Sequence, residues 1–257
     1  MLELQNINKV WFRGTPDEAP LFENFSLSVK KGEFVSVVGS NGSGKTTMLN
    51  IICGSVSADS GKIIVDGKDI THLTEHKRYA TVGRVYQDPS MGTCPHLTIL
   101  ENMALAEQKG KKSGLSFGVN KKRIAYYKEL LSALGLGLEE KMNVKVGSLS
   151  GGQRQAMALV MATMTPIDIL ILDEHTAALD PKTAEIIMKL TDKVVREKSL
   201  TAIMVTHNLR YAVEYGDRII MMHKGQAVID SSGEEKKRMR VDDVLGLFGE
   251  ISTECGN

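Results

Sequence analysis

The run Gly39-Ser40-Asn41-Gly42-Ser43-Gly44-Lys45-Thr46 has the spacing G-x-x-x-x-G-K-[ST]. It lies between a buried-strand pattern, Glu33 to Gly39, and a helical pattern from Lys45 to Cys53 that Gly54 stops. Each residue type answers a need of a bound triphosphate. Glycines let the backbone curl so that its N–H groups converge on phosphate oxygens, and the following helix turns its N-terminus to the same anion. Lys45 supplies a point charge for the β and γ phosphates, while Thr46, followed by Thr47, offers a hydroxyl ligand to Mg²⁺. A glycine-rich turn with an incidental lysine is the plainer reading, and the strand and helix on either side argue against it.

Ile169-Leu170-Ile171-Leu172-Asp173-Glu174 is an apolar strand ending in two adjacent carboxylates. Such a strand end is where ligands bind in open α/β folds, which suits Asp173 to hold Mg²⁺ and Glu174 to polarise or deprotonate an attacking water. Taken alone, two charges at a strand end are common; paired with the cradle they complete a nucleotide site.

The elements that must position these groups alternate between strand and helix, the pattern of a mainly parallel sheet covered by helices. Ile63 to Ile70 places an Asp-Gly turn between apolar runs, so an antiparallel portion is expected near the N-terminus. From about 89 to 166 helical periodicity dominates, as in Ile124, Tyr127, Leu130, Leu131 and Leu134, and this stretch reads as an inserted helical subdomain. Its basic, glycine-bearing stretch, Lys109 to Arg123, reads as a solvated loop in preference to a lipid or partner contact. Strand Asp168–Leu172, helix Pro181–Lys198 and strand Leu200–Thr206 follow, with Asp180-Pro181 as an N-cap and first helical residue. A tail from Glu234 carries a charged run and a short helical pattern, Val241–Phe248, with no evident chemistry.

The chain has 257 residues, enough for one α/β domain spanning 1–257 with a subdomain inserted. A net charge of +1 and 5% aromatics give neither the field nor the stacking surfaces of a nucleic-acid binder. Cys53, Cys94 and Cys255 lack metal-ligand spacing and read as reduced thiols of a cytosolic protein. The first residues show no signal-peptide pattern, and no apolar run reaches the roughly 18 residues that span a bilayer.

Leu149-Ser150-Gly151-Gly152-Gln153 narrows the family, because the two nucleotide motifs alone do not separate a kinase from a GTPase. Here the sequence resembles the ATP-binding subunits of ABC transporters, whose LSGGQ signature precedes the acidic strand. The resemblance runs from Leu2 to Asp230 at least. Trp11, or Phe12 beside it, is similar to the aromatic residue that stacks on adenine. Gln87 matches the Q-loop glutamine, a contact of Mg²⁺; Ala178-Leu179-Asp180 matches the D-loop, and His207 the switch histidine. The resemblance implies that Lys45, Gln87, Glu174 and His207 serve catalysis. It further implies that Ser150, Gly151, Gly152 and Gln153 of one copy close over the γ-phosphate of ATP in a second copy, with Asp180 at the same interface. The cofactors would be ATP and Mg²⁺. The partners would be a second copy, integral membrane permease subunits and an extracytoplasmic substrate-binding protein, with the chain at the cytoplasmic face of the membrane.

One departure from the family stands out: His175 occupies the place of the usual proline after the catalytic glutamate. It either changes the stiffness of the loop or adds a titratable group beside Glu174. The surface Asp88 to Glu101 is a candidate grip for a membrane partner, with loop packing as the plainer reading. Soluble relatives acting on ribosomes usually carry two cassettes, and those acting on DNA carry long coiled coils or zinc modules; neither feature is seen here. Lipoprotein-release and efflux motors share the free-standing arrangement. The stretch Asp173 to Glu185 and the Leu209–Tyr215 region look similar to cassettes of uptake systems, some for aromatic amino acids.

Overall fold

The computed structural model describes residues 1–111 and 118–254, which fall into two compact units: 1–75 together with the chain from 200 onward, and 76–199. It has the expected fold class, α/β with parallel and antiparallel strands, helices and a phosphate-loop core. Six elements make the N-terminal part of the first unit: β1 (Leu2–Trp11), β2 (Ala19–Val29), β3 (Phe34–Gly39), α1 (Lys45–Cys53), β4 (Ser60–Val65) and β5 (Lys68–Asp69). The antiparallel sheet runs in the order β2-β1-β4-β5. Asp66-Gly67 turns β4 into β5 as its sequence requires, with both residues at positive φ. Every residue of β3 is buried, as expected of a parallel strand flanked on both edges.

The second unit contains α2 (Glu75–Arg78, its first residue at the boundary), β6 (Val82–Val85), α3 (Ile99–Glu107), α4 (Ile124–Ser132), α5 (Gly151–Thr163), β7 (Ile169–Asp173) and α6 (Pro181–Glu197). β6 and β7 pair in parallel, with Arg84 opposite Ile171 and Val85 opposite Leu172. Between 89 and 166 the described residues hold helices, short turns and a single bridge from Thr98 to Lys145. Their apolar stripes meet in one core of Ile99, Met103, Tyr127, Leu131, Met157 and neighbours. Each such fully buried side chain stabilises by roughly 1.5–3 kcal/mol. Part of the basic stretch expected to be a loop, residues 112–117, lies outside the described residues.

The chain then returns to the first unit with β8 (Thr201–Val205), α7 (Leu209–Glu214), β9 (Arg218–His223), β10 (Gln226–Ser232), α8 (Gly233–Arg238) and α9 (Val241–Glu254). β3 lies parallel between β8 and β9, and β10 runs antiparallel to β9. Two details go beyond the sequence reading. The charged run after Glu234 is helical, because the Lys236 amine is buried under the carbonyls of Val213 at 2.6 Å and Gly216 at 2.8 Å. The last helix continues beyond Phe248 to Glu254, so Gly246 and Gly249 do not end it.

Candidate functional site

In the first unit, β3 delivers Gly39 into the loop Ser40 to Gly44, and α1 begins at Lys45. Gly44 is the N-cap at φ 102°, and a Cβ there would sit 2.8 Å from the Phe22 ring, so the position demands glycine. No side chain caps α1 and its first turn carries no acid, which leaves the backbone N–H groups and the positive helix end for an anion. The Lys45 side chain folds back across the loop. Its Nζ donates to Gly39 O at 2.7 Å and Ser40 O at 2.8 Å, and the residue is buried. The amine thus lies within the curl of the cradle itself. Ser43 is buried, Thr47 half-buried, and Asn41, Gly42 and Thr46 are exposed at the mouth.

Two more predicted residues belong to this unit. His207 is exposed just beyond β8, between Thr206 and Asn208, and the Asn208 side chain caps α7. Trp11 ends β1 opposite Ala19, with the Lys9 amine 5.0 Å from its ring centroid. Phe12 follows at φ 54° and is 66% exposed, so the neighbouring aromatic is the freer of the two.

In the second unit, β7 ends at Asp173, and Glu174 follows at φ 47°, a left-handed conformation rare for a residue with a side chain. Such strain concentrates at functional positions. Asp173 is engaged: Arg84 Nη2 lies 2.6 Å from its Oδ2. Arg84 was not singled out from the sequence, though an arginine within the apolar strand VGRV was a signal that it needs a buried partner. Gln87 is exposed after β6, and Asp88 caps the turn Pro89–Met91. The Ser90 hydroxyl and N–H hold the Asp88 carboxyl below the usual carboxylate range.

The signature is built as a helix start. Ser150 Oγ accepts from Gln153 N at 3.2 Å, and Gln153 Oε1 accepts from Ser150 N at 3.3 Å, a reciprocal capping box. Because Ser150 Oγ accepts in the cap, its proton is left to donate outward, and Ser150 and Gly151 are exposed. Gly152 is needed for packing, since a Cβ would lie 2.3 Å from Thr183 Cγ2 of α6. Asp180 caps α6 by accepting from Thr183 N at 3.1 Å, and hydrogen bonds from Thr183 lower its pKa. The signature and D-loop therefore meet at the starts of two packed helices, α5 and α6.

His175 is fully enclosed and donates or accepts at Nε2 with Thr191 Oγ1, 3.0 Å away. Burial pushes its pKa down to about 4. Of the two readings of His175, an altered loop stiffness or a titratable group beside Glu174, the enclosed and hydrogen-bonded ring favours the first, since burial keeps the imidazole neutral at neutral pH.

The donor set suits Mg²⁺. The residues that the resemblance assigns to the metal, Thr46 in the first unit and Gln87 and Asp173 in the second, are oxygen donors with one carboxylate among them, and among the described residues no cluster of three or more His, Cys, Asp or Glu forms a cage. Mg²⁺ at phosphoryl sites is held in this way, by a carboxylate, water and the phosphates themselves. Also among the described residues, no helix is long and apolar enough to cross a membrane.

The sequence pattern of ABC transporters matches residues 22–177. A tyrosine transport ATP-binding protein of Clostridioides difficile (strain R20291) is 47% identical over 248 residues, 96% of this chain and 98% of that protein. The spermidine/putrescine import ATP-binding protein PotA of Pasteurella multocida (strain Pm70) is 34% identical over 254 residues, 96% of this chain and 63% of that longer protein. Among solved structures, a dimeric ATP-binding cassette, MJ0796, bound to ADP and phosphate in a post-hydrolysis state is 33% identical with a TM-score of 0.77. The match covers 90% of this chain and 98% of that one. The ADP conformation of MJ1267, an ATP-binding cassette of an ABC transporter, is 27% identical with a TM-score of 0.81, over 100% of this chain and 99% of that one. The cradle, the acidic strand end and the signature thus sit on a cassette fold. The chain belongs to the ABC transporter family, as an ATP-binding subunit and an ATPase.

Proposed function

We propose that this chain is the motor of an importer, hydrolysing ATP between two copies that face head to tail, and that the cargo is an amino acid of the aromatic class. The observation that carries the cargo reading is the relative named for tyrosine transport, similar along 98% of its own length. Support for a paired arrangement comes from the exposed, outward-donating Ser150 at a helix start that its own chain does not need for phosphate, since the cradle at α1 already provides one.

In this reading Gly39 to Gly44 wrap the phosphates with backbone N–H groups, and Lys45 leaves its loop carbonyls for the β and γ oxygens. Thr46, Asp173 and Gln87 would hold Mg²⁺, which would neutralise charge at the phosphates. Glu174 accepts the proton of the attacking water, His207 contacts the γ-phosphate, and Trp11 stacks on adenine. Ser150 to Gln153 of the second copy, with its Asp180, complete the site. Hydrolysis then moves permease subunits in the membrane, with a substrate-binding protein delivering cargo from outside and this chain at the cytoplasmic face.

A tagged pull-down of the chain from detergent-solubilised membranes tests the assembly. A multi-spanning permease together with a binding protein is the expected catch. Ribosomal or DNA-associated proteins with no membrane protein would overturn the transporter role while leaving the ATPase intact.

A further inference from the structure

One guanidinium lies against the acidic strand end from the neighbouring strand. Arg84 Nη2 is 2.6 Å from Asp173 Oδ2, and the two side chains are only 6% and 13% exposed. β6 and β7 pair in parallel up to Val85 and Leu172, so backbone register fixes this meeting. The other face of the guanidinium stacks on Tyr86, with Arg84 Cζ 4.6 Å from the ring centroid. Tyr86 is itself fixed: its hydroxyl lies 2.8 Å from that of Tyr79, and its carbonyl accepts from Gln155 Nε2 at 2.9 Å.

A carboxylate sheltered from water is costly unless paired, and a hydrogen-bonded guanidinium partner removes that cost. Asp173 is also the only carboxylate among the three residues read here as Mg²⁺ donors. The same carboxylate therefore has two suitors. Stacking on Tyr86 gives the guanidinium a place to remain when the metal takes the carboxylate, at a location that adjoins Gln87 in the chain.

We propose that Arg84 is a positioning residue that acts as the resident counter-ion of Asp173, holding it in place and competing with Mg²⁺ for it. This rests on the reading of Asp173 as a Mg²⁺ ligand. Metal loading exchanges the guanidinium for the cation, so Arg84 sets the Mg²⁺ concentration at which the site fills. An ion pair that only braced β6 against β7 would alter stability and leave metal demand unchanged.

The test is equilibrium binding of a fluorescent ATP analogue as Mg²⁺ is titrated from a metal-free start, for the parent, Arg84→Gln, Arg84→Lys and Asp173→Asn proteins. Arg84→Gln is expected to lower the Mg²⁺ concentration of the half-maximal response by roughly tenfold, because an unpaired buried carboxylate seeks a cation. Arg84→Lys, which keeps charge but not the planar fork, shifts it less in the same direction. Should Arg84→Gln not fold, the Arg84→Lys shift decides. A midpoint that stays put or rises in the folded Arg84 variants, while Asp173→Asn disrupts the Mg²⁺ response, would overturn the role of Arg84 alone. A parental response in Asp173→Asn would overturn the ligand reading beneath it.

Discussion

His175 Nε2 lies 3.0 Å from Thr191 Oγ1, and the Thr191 hydroxyl donates its own proton to Ile187 O at 2.8 Å. With that proton spent, the imidazole must donate from Nε2, which fixes its neutral tautomer. The bond ties the residue after Glu174 to the middle of α6, about three turns beyond the Asp180 cap. A histidine where the family usually has proline thus anchors the loop by a side-chain bond to a helix instead of by a rigid ring.

This anchor has an acid limit. The imidazole, whose unfolded pKa is 6.5, falls to about 4 in the fold, so the unfolded chain binds a proton that the native chain refuses. The contribution of neutral His175 is therefore present above about pH 6.5 and is lost as pH falls toward 4, by up to about 3 kcal/mol. Urea unfolding across that window should show a steeper acid loss in the parent than in His175→Gln. Equal slopes would remove the histidine from the acid response.

The same burial makes a statement about catalysis. His175→Pro should leave the shape of the pH profile of ATP hydrolysis unchanged from about pH 6 to 9, because the native imidazole is already neutral there. A limb that moved in this range would mean that His175 titrates beside Glu174 after all.

At the start of α6, Asp180→Ala should cost about 1 kcal/mol of unfolding free energy by removing the cap on Thr183 N. Asp180→Asn retains an accepting oxygen and should lose much less. If ATPase activity falls equally in both while only the alanine variant is destabilised, the carboxylate serves the interface as well as the helix.

Gly44→Ala should weaken nucleotide binding by roughly tenfold or more and cost about 1–3 kcal/mol of stability, since φ 102° is strained for alanine and the added methyl meets Phe22 at 2.8 Å. Binding of a fluorescent ATP analogue together with urea unfolding reads both effects.

Much of this architecture could be read from the residues because local and global signals agree. The cradle's glycines, the proline after Asp180 and the largely apolar runs of β3 and β7 each specify one conformation. β2 escaped the reading because Pro20, Glu23 and Asn24 break its alternation, and its register with β1 shifts repeatedly. β6 escaped because four residues carry too little pattern, and with it went Arg84, whose meaning comes from a partner 89 positions away. His175 was noticed as a departure, yet its burial and its bond to Thr191 depend on how α6 packs, which spacing along the chain does not encode.

Two copies closing on ATP through Ser150 and its glycines would double the mass in solution, and light scattering of the slowed variant Glu174→Gln reads that change. With Mg²⁺ and ATP it should run at about twice the 28.1 kDa of one chain, and as a single chain without nucleotide. Adding Ser150→Arg should leave ATP binding nearly intact while abolishing the larger species, and Ser150→Arg alone should abolish hydrolysis. A single-chain mass at saturating ATP, or undiminished turnover in Ser150→Arg, would contradict the shared site.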